Sequence, residues 1–128
     1  MKKILVTTID ELIPSESAYQ VCELAQSMNG DLVFLYLVES LDSRSQRCGR
    51  FAIEVFEDAS QYYDVNVDGR IMSGEPIEQI KIIAKELDVE LILVGATDQI
   101  DWHPSLKKIE SSENIPSKVF DPDRAEIK

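Results

Sequence analysis

Apolar and polar positions divide the chain into alternating strands and helices. Residues 3–9, Lys-Ile-Leu-Val-Thr-Thr-Ile, read as a buried first strand. Residues 32–38, Leu-Val-Phe-Leu-Tyr-Leu-Val, are apolar throughout, the pattern of a strand covered on both faces of a parallel sheet. Leu91 to Val94 is a third unbroken apolar run, closed by Gly95. Residues 65–71, by contrast, alternate apolar and polar, which predicts a strand near a sheet edge with one wet face. A short last strand is predicted at Ser117–Phe120, behind Pro116, and the tail from Asp121 is expected to fray.

Helical spacing fills the intervals. Ala18, Val21, Cys22, Ala25 and Met28 share one helical face; Ser17 and Gln20 fit a capping box at its start, and Asn29-Gly30 ends it, with Gly30 expected in the left-handed conformation. A long helix is predicted from about Arg44 to Tyr63, with Ala52, Val55, Phe56, Ala59 and Tyr63 on its buried side, although Cys48-Gly49 is a poor helix interior. Pro76 suits the first turn of the next helix, whose apolar face is Ile77, Ile80, Ile83, Ala84 and Leu87. A polar loop from Ala96 to Pro104 precedes a short helix from Ser105 to about Glu113.

Five strands alternating with helices imply an α/β fold with a doubly wound parallel sheet and helices on both faces. Placing the fully apolar strands centrally and the alternating and short ones at the edges gives the order 3-2-1-4-5. A ligand crevice then lies at the switch point between the first and fourth strands. Its rim is Thr7, Thr8, Asp10, Val38, Glu39, Gly95, Ala96 and Thr97.

Three stretches carry a family resemblance. Ser73-Gly74-Glu75-Pro76, the isoleucine-rich helix through Ala84-Lys85-Glu86, and Val89-Glu90-Leu91-Ile92-Leu93-Val94-Gly95 resemble the universal stress protein family, whose members have a Gly-acidic-Pro helix start and an Asp-Leu-Ile-Val-Met-Gly strand. Lys2-Lys3-Ile4-Leu5-Val6 looks like the family's first strand. The resemblance implies the same 3-2-1-4-5 sheet and a homodimer paired through the last strand, here Ser117–Phe120. It also implies a site for ATP, bound in many members by a loop reading glycine, two residues, glycine, nine residues, glycine, then Ser or Thr. Of those four positions this chain keeps only Gly95; the others are Asp98, Lys108 and Ile109. The family's nucleoside-contacting aspartate at the end of the first strand falls on Ile9, with Asp10 one residue later and therefore turned to the other face of the strand. The expectation is a regulatory or interaction module of the stress response, without enzymatic activity and without a cofactor. The alternative is an ATP- or AMP-binding switch with a remodelled phosphate loop. A phosphoacceptor receiver domain shares the alternating pattern but needs an Asp ending the third strand, where this chain has Ile71-Met72-Ser73.

Composition narrows the functions further. A length of 128 residues fits one domain, 1–128. The net charge of −11 disfavours nucleic acid, because phosphate binding needs clustered Lys and Arg. No apolar run approaches the ~20 residues of a membrane span, and Asp10-Glu11 interrupts the first apolar stretch too soon for a signal peptide. A cytoplasmic protein is expected. Cys22 belongs on a buried helical face, Cys48 reads as a surface thiol, and their spacing is no metal framework. The single His103 has neither a nucleophile nor a second ligand nearby in sequence, so no metal is expected. Trp102 is expected to pack on the core and Lys107-Lys108 to be solvated, while Ser111-Ser112 read either as phosphorylation sites or as ordinary polar residues of a helix end.

Overall fold

The computed structural model describes residues 2–121 and, in their backbone, 126 and 127. In chain order the elements are β1 (Lys2–Ile9), α1 (Ser15–Ser27), β2 (Gly30–Val38), α2 (Ser43–Tyr63), β3 (Val67–Ser73), α3 (Pro76–Leu87), β4 (Leu91–Gly95), α4 (Trp102–Glu113), β5 (Ser117–Asp121) and β6 (Glu126–Ile127). The first five strands are parallel in the order 3-2-1-4-5, as their apolar patterns predict. That order excludes the receiver alternative, whose sheet runs 2-1-3-4-5.

Strand alternation sorts the core into two layers. Ile4, Val6, Leu32, Phe34, Tyr36 and Leu93 face α1 and α2; Leu5, Val33, Leu35, Leu37, Ile92 and Val94 face α3 and α4. Because both faces are covered, the central strands are built around continuous apolar runs, and β1, β2 and β4 supply most of the largest fully buried side chains.

Several local expectations are corrected. Helix α1 starts at Ser15 behind Pro14, whose carbonyl accepts from the N–H groups of Ser17 and Ala18. Ser17 is therefore a buried residue of the first turn, and the Ser17–Gln20 capping box does not form. At its other end the left-handed residue is Asn29, with φ 55°, while Gly30 opens β2. Gly30 is needed there for closeness: a Cβ would lie 2.9 Å from the Lys2 carbonyl oxygen. Helix α2 runs unbroken through Cys48-Gly49, and Gly49 lets it pack close against the sheet: a Cβ there would lie 2.8 Å from Ile71 and 2.9 Å from Tyr36. Asp121 belongs to β5. Residues 126 and 127 add a sixth, antiparallel strand against Phe120 and Asp121, so the tail does not simply fray; the rest of it, 122–125 and 128, lies outside the described residues.

Candidate functional site

The switch point lies where β1 and β4 run side by side, paired from Ile4–Leu91 to Thr7–Val94. Their following loops leave in different directions, but the crevice between them is spanned by the chain's own side chains. The Thr97 hydroxyl donates to a Glu11 carboxylate oxygen at 2.7 Å, and the Gln99 amide donates to the Ile9 carbonyl at 3.2 Å. Thr97 Oγ1 also accepts from the Gln99 backbone N–H at 3.2 Å. The Thr97–Glu11 and Gln99–Ile9 contacts, 86 and 90 residues apart in sequence, tie the β4–α4 loop across the end of β1.

The predicted rim residues consequently separate. Asp10 and Val38 line one cleft of about 230 Å³ together with Ile9, Leu37, Pro76 and Gln99. Ala96 and Thr97 line another, of about 350 Å³, with Asp98, Asp101, Trp102 and His103. Thr8 and Gly95 line neither. Thr8 is buried, with its hydroxyl on the Glu11 carbonyl at 3.3 Å, and Thr7 is buried with its hydroxyl on the Leu35 carbonyl at 2.8 Å. Drug-sized ligand sites run from about 300 Å³ upward, so the Asp10 cleft is small by that measure.

Asp10 has left-handed backbone, φ 48°, and its N–H donates to the Leu37 carbonyl at 2.7 Å. Its carboxylate accepts from the hydroxyl of Tyr36 at 3.1 Å, on the α1–α2 side of the sheet. Ile9, one residue earlier, packs on the α3–α4 side, as the strand period of two requires. Tyr36 is fully buried; burial first, then the hydrogen bond to Asp10 and its charge, raise the phenol above its ordinary range. That pair was not visible in the sequence, because nothing there aligns residue 36 with residue 10.

The β4–α4 loop departs most from expectation. Helix α4 begins at Trp102, three residues before the predicted Ser105, and leaves only residues 96–101 as loop. Asp101 caps it: its carboxylate accepts from the His103 N–H at 3.2 Å. An aspartate with Pro104 three residues on is a helix-start signal that the sequence does carry, since proline is tolerated in the first turn. Trp102 is buried and its indole N–H donates to the Gly95 carbonyl at 2.9 Å, fastening the first turn of α4 to the last residue of β4. It packs on the core, as expected. Lys108 and Ile109, at the third-glycine and Ser/Thr positions of the phosphate loop, lie inside this helix, and Ile109 is fully buried. His103, Lys107 and Lys108 are exposed.

The loops at this end of the sheet carry Asp10, Glu11, Glu39, Asp98 and Asp101. Their carboxylates are an adverse field for phosphate oxygens. Among the described residues no group of three or more His, Cys, Asp or Glu is placed to hold a metal ion, and no helix is long and apolar enough to cross a membrane.

The architecture defines a class: a doubly wound α/β protein with its crevice between β1 and β4. No family model matches the sequence, and no curated protein does. Solved structures do match. A universal stress protein family member from Burkholderia pseudomallei superposes with a TM-score of 0.71 at 19% identity, covering 94% of this chain and 96% of that one. The universal stress protein of Archaeoglobus fulgidus in complex with dAMP gives 0.66 at 14% identity over 100% and 98% of the two chains. A universal stress protein family protein from Arabidopsis thaliana with AMP bound gives 0.65 at 14% identity over 94% and 92%. The fold of this chain is therefore that of the universal stress proteins.

Proposed function

We propose that the chain is a universal-stress-protein-like regulatory and interaction module, acting in the cytoplasm, without enzymatic activity and without ATP bound in the manner of nucleotide-binding relatives. The observation that carries this reading is the placement of Lys108 and Ile109 within α4: the phosphate-loop positions are helix, and one of them is core. Three further features support it. The Thr97–Glu11 and Gln99–Ile9 contacts occupy the mouth of the crevice. Asp98 replaces a glycine whose N–H would face phosphate. Asp101 already accepts the first-turn N–H that a phosphate would use. A homodimer belongs to the proposal, with the Ser117–Val119 part of β5 as its edge; the β6 pairing at Phe120 and Asp121 shortens what a partner strand can use.

The second reading, a nucleotide switch with a remodelled loop, draws on the dAMP and AMP complexes of structural neighbours and on the cleft beside Asp10, Val38 and Gln99. Isothermal titration with Mg-ATP, and with AMP as control, separates the two. No heat up to millimolar nucleotide, from protein shown to be folded by circular dichroism, is the expected result. Micromolar binding abolished by Thr97→Ala or Asp10→Ala overturns the proposal and installs the switch.

A further inference from the structure

The outer face of the α1–α2 layer carries a group of tyrosines, of which Tyr63 also packs against the core while Tyr19 and Tyr62 turn outward. The rings of Tyr19 and Tyr62 stand 5.8 Å apart at 85°, Tyr62 and Tyr63 5.1 Å apart at 74°, and Tyr19 and Tyr63 6.1 Å apart at 63°. Tyr62 is 77% exposed and Tyr19 38%. The Gln26 amide holds the two helices together beside them, donating to the Tyr63 carbonyl at 2.9 Å. Phe51, 56% exposed, lies three helical turns before Tyr62 and so on the same side of α2.

The charge around the three tyrosines has one sign, whereas Phe51, earlier in α2, has Arg47 one turn before it and Arg50 beside it. Helix α1 contains Glu16 and Glu23, one turn to either side of Tyr19, and no Lys or Arg. From Phe51 to Tyr63, α2 contains Glu54, Glu57 and Asp58 and again no Lys or Arg. Asp58 is one turn from Tyr62. Burial first and the charge of Glu23 second raise the Tyr63 hydroxyl above its ordinary range. Exposed aromatic faces flanked by carboxylates fit guanidinium and ammonium groups, through stacking, cation–π attraction and ion pairing together. A second copy of the chain does not fit: the tyrosine face has no Lys or Arg on α1 or on 51–63 of α2, so pairing it with itself brings carboxylates together with no cation between them.

We propose that the Tyr19–Tyr62–Tyr63 face docks a basic, arginine-bearing segment of a partner protein, with Phe51 extending the apolar contact along α2. The inference rests on the reading of the chain as an interaction module, but not on the state of the crevice; a failed peptide titration leaves the nucleotide result standing, and the converse.

The probe is a fluorescein-labelled amphipathic peptide of arginine and leucine, titrated by fluorescence anisotropy into the whole chain, with a peptide carrying glutamate for arginine as control. Tyr62→Ala leaves net charge unchanged and removes an exposed ring, so folding is retained; it is expected to weaken binding by about fivefold, and the Tyr19→Ala/Tyr62→Ala pair by more. Glu23→Gln/Asp58→Asn is expected to weaken binding and flatten its salt dependence. Asp98→Asn/Asp101→Asn, which removes equal charge from the crevice end, is expected to leave it unchanged. The proposal is overturned by absence of binding, by tyrosine variants that bind as the parent does, or by crevice variants that weaken binding as much as Glu23→Gln/Asp58→Asn.

Discussion

Replacing Trp102 by Phe tests why α4 begins where it does. The indole is 3% exposed and its N–H donates to the Gly95 carbonyl at 2.9 Å. Phenylalanine keeps a ring in the pocket but leaves that carbonyl without this partner, a loss of about 1 kcal/mol or more for a buried acceptor. The smaller ring also gives up ~40 Å² of burial, worth about 1 kcal/mol at 25 cal/mol per Å². A total of ~2 kcal/mol is set against an unfolding entropy of about 2.1 cal/mol/K per residue over 128 residues, or ~270 cal/mol/K, which corresponds to a fall in Tm of ~7 °C. Trp102→Ala, which empties the site, should cost about 3–5 kcal/mol. Thermal unfolding followed by circular dichroism reads both. A Tm for Trp102→Phe within ~2 °C of the parent would refute the reasoning, since it would mean that neither the hydrogen bond nor the packing anchors the helix.

Three other outcomes are open to measurement. Asp88 and Asn114 end α3 and α4 in left-handed backbone, at φ 53° and 56°, so Asp88→Gly and Asn114→Gly should each raise stability by about 0.5–1 kcal/mol in urea unfolding, and nearly additively. Asp88 should gain more, because its charge opposes the helix dipole. Burial pushes the Cys22 thiol from 9.0 up to about 12; the folded state holds the neutral thiol while the unfolded chain ionises first, so this contribution is complete below pH 9 and is lost as pH rises towards 12. Cys22→Ala should therefore show a shallower alkaline decline, and a thiol reagent should label Cys48 in the native protein but Cys22 only on unfolding. Thr97→Val removes the hydroxyl that reaches Glu11, and should cost about 1 kcal/mol and speed amide hydrogen exchange in residues 96–101; unchanged exchange would show that the contact does not hold the loop.

The sheet was legible because its signals are local. A strand buried on both faces is apolar at nearly every position, as residues 32–38 and 91–94 are; an edge strand need not be, and 65–71 is not, although the strand it announced runs two residues later, Val67–Ser73. The ends of elements were less legible, because a cap depends on which of two competing groups wins. Pro14 starts α1 ahead of Ser17, and Asn29 takes the left-handed turn that Gly30 also suits, because Gly30 is required against Lys2. The start of α4 was misplaced because Trp-His-Pro reads as loop until the Asp101 cap and the Trp102–Gly95 bond are seen together. The crevice contacts were illegible for another reason: Glu11 and Thr97, or Tyr36 and Asp10, meet only through the order of strands, and no pattern within one segment reports them.

The caps also put part of this acidic chain's negative charge where the fold favours it. Helices α2, α3 and α4 all point their N-termini towards the crevice end of the parallel sheet, and each is capped by its own carboxylate: Asp42 on the Ser45 N–H at 2.8 Å, Glu75 on Glu78 at 2.8 Å, Asp101 on His103 at 3.2 Å. The Ser45 N–H, acting first, holds the Asp42 carboxyl below its ordinary range. Carboxylates so placed meet the positive ends of helix dipoles, so negative charge that would cost stability elsewhere is favourable there. The same donors are the ones a doubly wound fold otherwise offers to phosphate. At these three ends an incoming phosphate must displace an intramolecular cap and meet the charge of the displaced carboxylate besides, whereas α1, which starts at the same end behind Pro14, has no side-chain cap. Restoring glycine at Asp98 alone leaves all three caps in place, so Asp98→Gly should not bring Mg-ATP binding into the micromolar range; if it does, the caps are not what closes these helix ends to anions.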